Sequence, residues 1–390
     1  MSLRCVVPAN PPLPFIISIL NSNIQTFVGN NKNHIAYELL VTNNFTSPIS
    51  IKGLKITPFK TIINETALKT MFSTISTANT LQPQHPILQP NETGIIYLFL
   101  NFNQHAKLTS IDNILYIQTT TPINPTNSIT LQSIITPSLT LNPNPPILLH
   151  PPLKGKNFLC SDGPSNTSSH RKAILTFNGQ LRLPQKYAID FLQYGKYGLL
   201  DGDPLKNSSY YIYGNKVYAV ADGVVIGLLD GVKENVPNTP PPFTTFQTIG
   251  GNYILIKLTN KDKDNERSCG RNIDYYAYYA HLIPGSIKVK VGDKVKAGQV
   301  LARAGNSGNS VAPHLHFQIT DKPEPVGADI RVEPLNAQGR PWELIKFVKH
   351  QYVNVGMNPL FPVLPNTVKI VHSEIVKNQI LMDNNLVDFC

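Results

Sequence analysis

The chain has 390 residues, 41% hydrophobic and 15% charged, with 34 basic against 24 acidic side chains and a net charge of +10. At ~150 residues per domain this length predicts two or three domains, and the hydrophobic content excludes a disordered polyelectrolyte. No apolar run approaches the ~18 residues of a membrane helix, no block of about five like charges marks a nucleic-acid arm, and 33 prolines argue against long helices and for an all-β fold.

The first residues, MSLRCVVPANPPLPFIISIL, carry one arginine, broken apolarity and no small-residue cleavage site, so no secretory signal is legible. From about Ile16 to Thr136, short β-branched or aromatic runs alternate with Asn, Pro, Ser and Gly clusters. The runs are 34–42, 49–56, 94–101 and 114–118. That spacing predicts a β-sandwich over residues 1–136. His34, His85 and His105 are scattered there and read as ordinary strand or surface histidines. Residues 137–152, PSLTLNPNPPILLHPP, are proline-dense and nearly uncharged, and read as an extended linker. A second strand series follows at 173–177, 216–229, 252–258, 275–281, 288–291 and 315–320, within a predicted domain of residues 153–335. In residues 336–390 the stretch WELIKFVKHQY is expected to form one short helix in an otherwise irregular tail. The cysteines Cys5, Cys160, Cys269 and Cys390 form no C-x-x-C pair, which excludes a zinc ribbon. A Cys160–Cys269 disulfide stays open.

The sharpest chemical signal is Pro313-His314-Leu315-His316-Phe317. Histidines at i and i+2 of a strand share a face, so both reach one ion or one reacting group. Tyr279-Ala280-His281-Leu282 puts a third histidine at a strand end. Ala188-Ile189-Asp190-Phe191 puts a carboxylate in an apolar strand, where it is costly unless paired or bound to a metal. Histidine and aspartate around one ion is zinc-like chemistry.

In order along the chain, A-I-D-F, V-Y-A-V-A-D-G-V-V (217–225), G-N-Y (251–253), Y-A-H-L, V-K-V-G-D-K-V-K-A-G-Q (289–299) and G-N-S-G-N-S-V-A-P-H-L-H-F (305–317) resemble the lysostaphin-type zinc endopeptidases. This is the LytM-domain family, which cuts peptide crosslinks of peptidoglycan. The resemblance covers residues 151–321. P-P-L-K-G (151–155), G-P-S-N (163–166), His170-Arg171 and the strand Y-E-L-L-V-T-N (37–43) are similar to a branch with a β-rich N-terminal domain. The resemblance implies an antiparallel β-sheet peptidase domain with a duplicated motif, located in the cell envelope, periplasmic or extracellular. It also implies Zn²⁺ on Asp190 and His316, with His281 and His314 flanking a metal-bound water and the scissile carbonyl.

The chain departs from the family's H-x-x-x-D pattern, because Lys186 stands where its first zinc ligand is a histidine. His170 is the candidate substitute. A hairpin over 173–190 with a three-residue loop at 178–180 places His170 opposite Ala188, diagonal to Asp190 and on its face. The expected metal set is therefore His170, Asp190 and His316, with His281 and His314 catalytic. Lys186 supports a second reading, a degenerate domain that binds peptidoglycan or activates another wall hydrolase. A third, a biotinyl or phosphate carrier built on V-K-V-G-D-K-V-K-A-G-Q, leaves the His-Leu-His motif unexplained.

Overall fold

A computed structural model describes residues 15–389 apart from 22, 60, 76–83, 104–105, 120–130, 178–179, 243, 246, 260–273, 324–339, 345–346, 358–364 and 377–378. The described chain is nearly all β, as its composition predicts. Its α-helices are the seven residues Glu65–Met71, capped by the Asn64 side chain, and the four residues Ser169–Lys172. Two compact units are present, one of residues 1–24, 36–98 and 108–141, the other of 25–35, 99–107 and 142–390.

The first unit lies mostly in two antiparallel sheets, whose strands Lys32–Asn43 and Thr93–Phe102 have residues 32–35 and 99–102 in the second unit. One runs Phe15–Ile19, Lys32–Asn43, Thr93–Phe102, Phe72–Thr74; the other runs Ile24–Gln25, Leu139–Asn142, Ser110–Thr119, Ile49–Thr57, Thr61–Asn64. Strand Ser110–Thr119 buries every second residue, Ile111, Asn113, Leu115, Ile117 and Thr119. That is the period of a sheet with one covered face. Tyr37 of the first sheet donates its hydroxyl to the Asn113 side chain of the second, 2.8 Å away and fully buried. The inner faces of the two sheets thus meet around a buried hydrogen bond between Tyr37 and Asn113.

The second unit is organised by a ten-stranded antiparallel sheet. Its order is Lys294–Val295, Gly223–Leu229, Asn252–Leu258, Tyr276–Leu282, Leu315–Thr320, Ile189–Gln193, Gly155–Ser161, Asn385–Phe389, Phe347–Met357, Pro365–Val376. The three strands that carry the chemically marked residues, Tyr276–Leu282, Leu315–Thr320 and Ile189–Gln193, are consecutive neighbours at its centre. Registers Ala280↔His316 and His316↔Asp190 align them in one row.

Four expectations are corrected here. The described residues of WELIKFVKHQY form no helix. Trp342–Leu344 and Phe347–Met357 are strands, the first paired in parallel with Ile147–Leu149, the second beside Asn385–Phe389. Short apolar runs fit either period, and here pairing with Ile147–Leu149, Pro365–Val376 and Asn385–Phe389 decides. The described tail thus holds four strands, of which Phe347–Met357, Pro365–Val376 and Asn385–Phe389 join the main sheet. Residues 137–152 are no bare linker, since Leu139–Asn142 and Ile147–Leu149 are both paired strands. Residues 288–291 fall outside the strands: Val291 is exposed, and the sheet takes Lys294–Val295 instead.

The fourth is the hairpin over 173–190. It is shorter than expected, pairing Leu175↔Arg182, Thr176↔Leu181 and Phe177↔Gln180 around two intervening residues. Pro184 follows, and residues 184–187 turn away from the ladder, as a missing N–H requires. Of the cysteines, Cys160 is buried, while Cys5, Cys269 and Cys390 lie outside the described residues.

Candidate metal centre

Asp190 sits at the middle of the site. Its Oδ1 lies 2.9 Å from His316 Nδ1, and its Oδ2 lies 3.5 Å from His170 Nε2 and 3.6 Å from His314 Nε2. Burial alone would raise its pKa. The His170, His314 and His316 rings, with the hydrogen bond from His316, outweigh burial and hold the carboxyl well below the usual carboxylate range.

His170, expected on a strand, sits in the short helix Ser169–Lys172, not opposite Ala188 in a ladder. Its place is fixed by Asp162. The Asp162 carbonyl faces His170 Nδ1 at 2.9 Å, and the Asp162 carboxylate accepts the backbone N–H groups of Ser169 (2.6 Å) and His170 (3.3 Å) and the Ser169 hydroxyl. A carbonyl only accepts, so Nδ1 carries the proton and Nε2 turns its lone pair toward Asp190.

Two further histidines are held the same way. His314 Nδ1 donates to the Ala312 carbonyl at 2.9 Å, and His281 Nδ1 to the Ser307 carbonyl at 2.7 Å. Their ring centroids are 4.6 Å apart. His281 adopts φ of +61° at the irregular end of its strand, a conformation side chains other than glycine rarely take. Burial, then the neighbouring His314 and His316, push its pKa well below the ordinary histidine value, so it is neutral at pH 7.

His316 is oriented in reverse. Its Nε2 lies 2.8 Å from the buried Gln318 amide oxygen, leaving Nδ1 for the site. With Nε2–H on that oxygen, the Nδ1 lone pair confronts an Asp190 oxygen at 2.9 Å. Two lone pairs at that distance call for a cation, a proton or a metal ion, to hold them together.

The loop that supplies Ser307 reaches His281 because two glycines touch. Gly251 (φ +62°) and Gly308 (φ +79°) approach so closely that a Cβ on Gly308 would strike the Gly251 backbone. Around them the Asn252 N–H donates to Ser307 Oγ at 2.9 Å, and Ser307 Oγ donates to the Leu282 carbonyl at 2.8 Å.

Among the described residues, one group of three His, Cys, Asp or Glu side chains brings its ligand atoms within 4.8 Å of one another: His170, Asp190 and His316. Two imidazole nitrogens and a carboxylate oxygen are a zinc-type donor set. Bonds of ~2.0–2.2 Å in a tetrahedron put ligand atoms ~3.3–3.6 Å apart, and the 3.5 Å between His170 Nε2 and Asp190 Oδ2 matches that edge. The residues therefore fit the ion. Lys186 is buried in the turn before this strand, its ammonium 5.7 Å from the Tyr187 ring centroid. Asp162 and Gln318 escaped sequence reasoning. Gln318 carried a usable signal, since 314, 316 and 318 alternate onto one face; Asp162 carried none.

Asp162 has a second carboxylate beside it. Burial, then the Asp162 charge, push the Asp383 pKa up to about 6. The folded chain therefore holds a proton there that the unfolded chain, near pH 3.9, has released. Stability from this group falls as pH rises from about 4 to 6 and stays lost above. Asp383→Asn is expected to raise the melting temperature at pH 7.5, by a stability gain on the order of 2 kcal/mol. At pH 4 it is expected to change little. Thermal melts at the two pH values check this.

Residues 210–328 match the family model described as Peptidase family M23. The chain carries a peptidase M23 domain, of which His281, His314 and His316 lie inside the matched segment and His170 and Asp190 before it. It is 56% identical over 69 residues to the glycyl-glycine endopeptidase ALE-1 of Staphylococcus capitis, 17% of this chain and 18% of that protein. It is 28% identical over 135 residues to the peptidoglycan DD-endopeptidase ShyA of Vibrio cholerae, 35% of this chain and 24% of that one. The matches thus span under a quarter of each relative. Among solved structures it is similar to the catalytic domain of the antimicrobial peptidase lysostaphin from Staphylococcus simulans. That match has 27% identity and a TM-score of 0.20, and covers 37% of this chain and 71% of that chain.

Proposed function

We propose that this protein is a zinc-dependent metalloendopeptidase that hydrolyses peptide bonds of cell-wall peptidoglycan, in the cell envelope or outside the cell. The observation that carries the reading is the set of three imidazoles facing Asp190, with a fourth, His281, beside them and each ring's outward nitrogen tied down. His170 Nε2, Asp190 and His316 Nδ1 hold the metal, and His170 replaces the ligand lost at Lys186. Bound zinc supplies Lewis acidity, polarising the scissile carbonyl and acidifying a water. His281 and His314, each with Nδ1–H on a backbone carbonyl, present Nε2 as the remaining nitrogen. A neutral imidazole so held accepts a proton from the attacking water and returns it to the leaving amine. The substrate class is supported by the M23 domain and by the peptidoglycan and glycyl-glycine endopeptidases it is similar to.

Purified sacculi digested with the full chain should release peptides bearing new amino termini, in a reaction stopped by a zinc chelator and restored by zinc. The second reading rests on Lys186: a domain that binds peptidoglycan or activates another hydrolase without cutting. It would hold sacculi and release no new termini with or without zinc.

Gln318 sets which nitrogen of His316 faces the ion, and groups that orient a ligand histidine typically contribute ~10–100-fold to metal affinity. Gln318→Leu, of similar volume and without an acceptor, is expected to weaken zinc binding by about that factor, read by competition with a chromogenic chelator.

A further inference from the structure

The helix that carries His170 has four residues and no side-chain N-cap bond. A single helical turn has no stability of its own, so the position of His170 depends on what its neighbours bury. Asp162 holds the backbone on one side. On the other, Arg171 is 1% exposed, and its guanidinium carbon lies 5.4 Å from the centroid of the Phe99 ring. That is the range of a cation–π contact.

Phe99 belongs to a ring cluster. Phe99 lies 5.3 Å from His34 and 6.0 Å from Phe27, His34 stacks on Phe27 at 5.5 Å, and Phe27 meets Tyr187 edge-on at 5.4 Å. The His34 ring is itself fixed, its Nε2 donating to the Gly29 carbonyl at 2.8 Å. One cluster therefore touches Arg171, next to His170, and Tyr187, three residues before Asp190. Its own rings come from residues 25–35 and 99–107, distant in sequence from every chemical motif yet part of the same compact unit as the site.

We propose that Phe99, braced by Phe27 and His34, is a positioning residue of the metal site. Its ring face seats Arg171 and thereby sets the distance from His170 Nε2 to Asp190. The proposal rests on the reading of His170 as a metal ligand. It explains how a ligand outside the sheet is held as firmly as Asp190 and His316 within it. A ligand on a one-turn helix is placed only as well as that turn is packed, so loosening Arg171 spends binding energy on ordering His170 again.

The test is zinc affinity of the full chain, by chelator competition, in Phe99→Ala, Phe99→Leu, Phe99→Tyr, His170→Ala and the Phe99→Ala/His170→Ala double variant. Phe99→Leu keeps bulk without a ring face, and it replaces Phe99→Ala throughout if the alanine variant does not fold. Removing the ring is expected to weaken zinc about tenfold, in line with other groups that orient metal ligands. Phe99→Tyr should bind as the parent does, and in the His170→Ala background the loss of Phe99 should add nothing. A purely structural role would lower the melting temperature and leave the affinity of the folded chain unchanged. Parental affinity in Phe99→Ala and Phe99→Leu, with His170→Ala weakened, overturns the proposal and spares the ligand reading. So does full additivity in the double variant. Parental affinity in His170→Ala overturns both.

Discussion

Asp190→Asn is expected to abolish both zinc retention and peptide hydrolysis, with kcat/KM falling by at least about 10³, ~4 kcal/mol of transition-state stabilisation. The carboxylate faces three imidazoles at 2.9, 3.5 and 3.6 Å. An amide keeps its size and one acceptor oxygen and removes the charge. The His170 and His316 nitrogens then share no anion, and a dication between them loses its only charge-neutralising ligand. The same substitution tests the electrostatics without metal. Because the folded pKa of Asp190 is depressed, its contribution to stability is complete above about pH 4. It is lost as pH falls through the lower folded value. Apo parent and apo Asp190→Asn should therefore differ most in melting temperature near neutral pH and converge in strong acid. Zinc content by atomic absorption, steady-state hydrolysis and apo melts across pH are the readouts.

His281→Ala is expected to separate chemistry from metal binding. Zinc content should stay near one ion per chain, while kcat falls by ~10²–10⁴, the usual contribution of a positioned acid–base group. The separation follows from geometry, because His281 lies outside the group whose ligand atoms converge and its ring centroid is 5.9 Å from that of His316. His281 is neutral at pH 7, since burial and two neighbouring rings depress its pKa. Its Nε2 is thus ready to accept a proton. The backbone invests in this placement: a positive φ at a non-glycine residue and a loop brought in by the facing Gly251 and Gly308 both serve one carbonyl on Nδ1. Costs of that kind concentrate at functional sites. Loss of zinc in His281→Ala would make it a ligand and remove it from the acid–base role.

The candidate site was legible in the sequence wherever a strand's alternation fixed a face. His314 and His316 at i and i+2, and Asp190 as one carboxylate in an apolar strand, needed only that period. Gln318 continues the same alternation. His170 was reached by a different path from the one the chain takes. A ladder register over 173–190 pointed to it, whereas the chain turns away at Pro184 and presents His170 from one helical turn pinned by Asp162. No strand or helix period encodes that, because Asp162 holds the turn from eight residues upstream across an irregular loop. The C-terminal strands were illegible for a related reason. Residues 342–357 fit two periods, and only pairing with strands elsewhere in the chain, Ile147–Leu149 for the first and Asn385–Phe389 for the second, selects one. The proline-dense residues 137–152 misled in the same way, since both strands there are completed by distant partners.

The central claim, that His170 replaces the missing ligand at Lys186 and completes a His, Asp, His zinc site, is tested most directly by zinc K-edge X-ray absorption on the zinc-loaded full chain and its His170→Ala variant. The account predicts a four-coordinate ion with nitrogen and oxygen neighbours at ~2.0–2.2 Å and the multiple-scattering signature of two imidazoles, reduced to one in the variant. An unchanged two-imidazole spectrum in His170→Ala, or an all-oxygen shell in the parent chain, would contradict it.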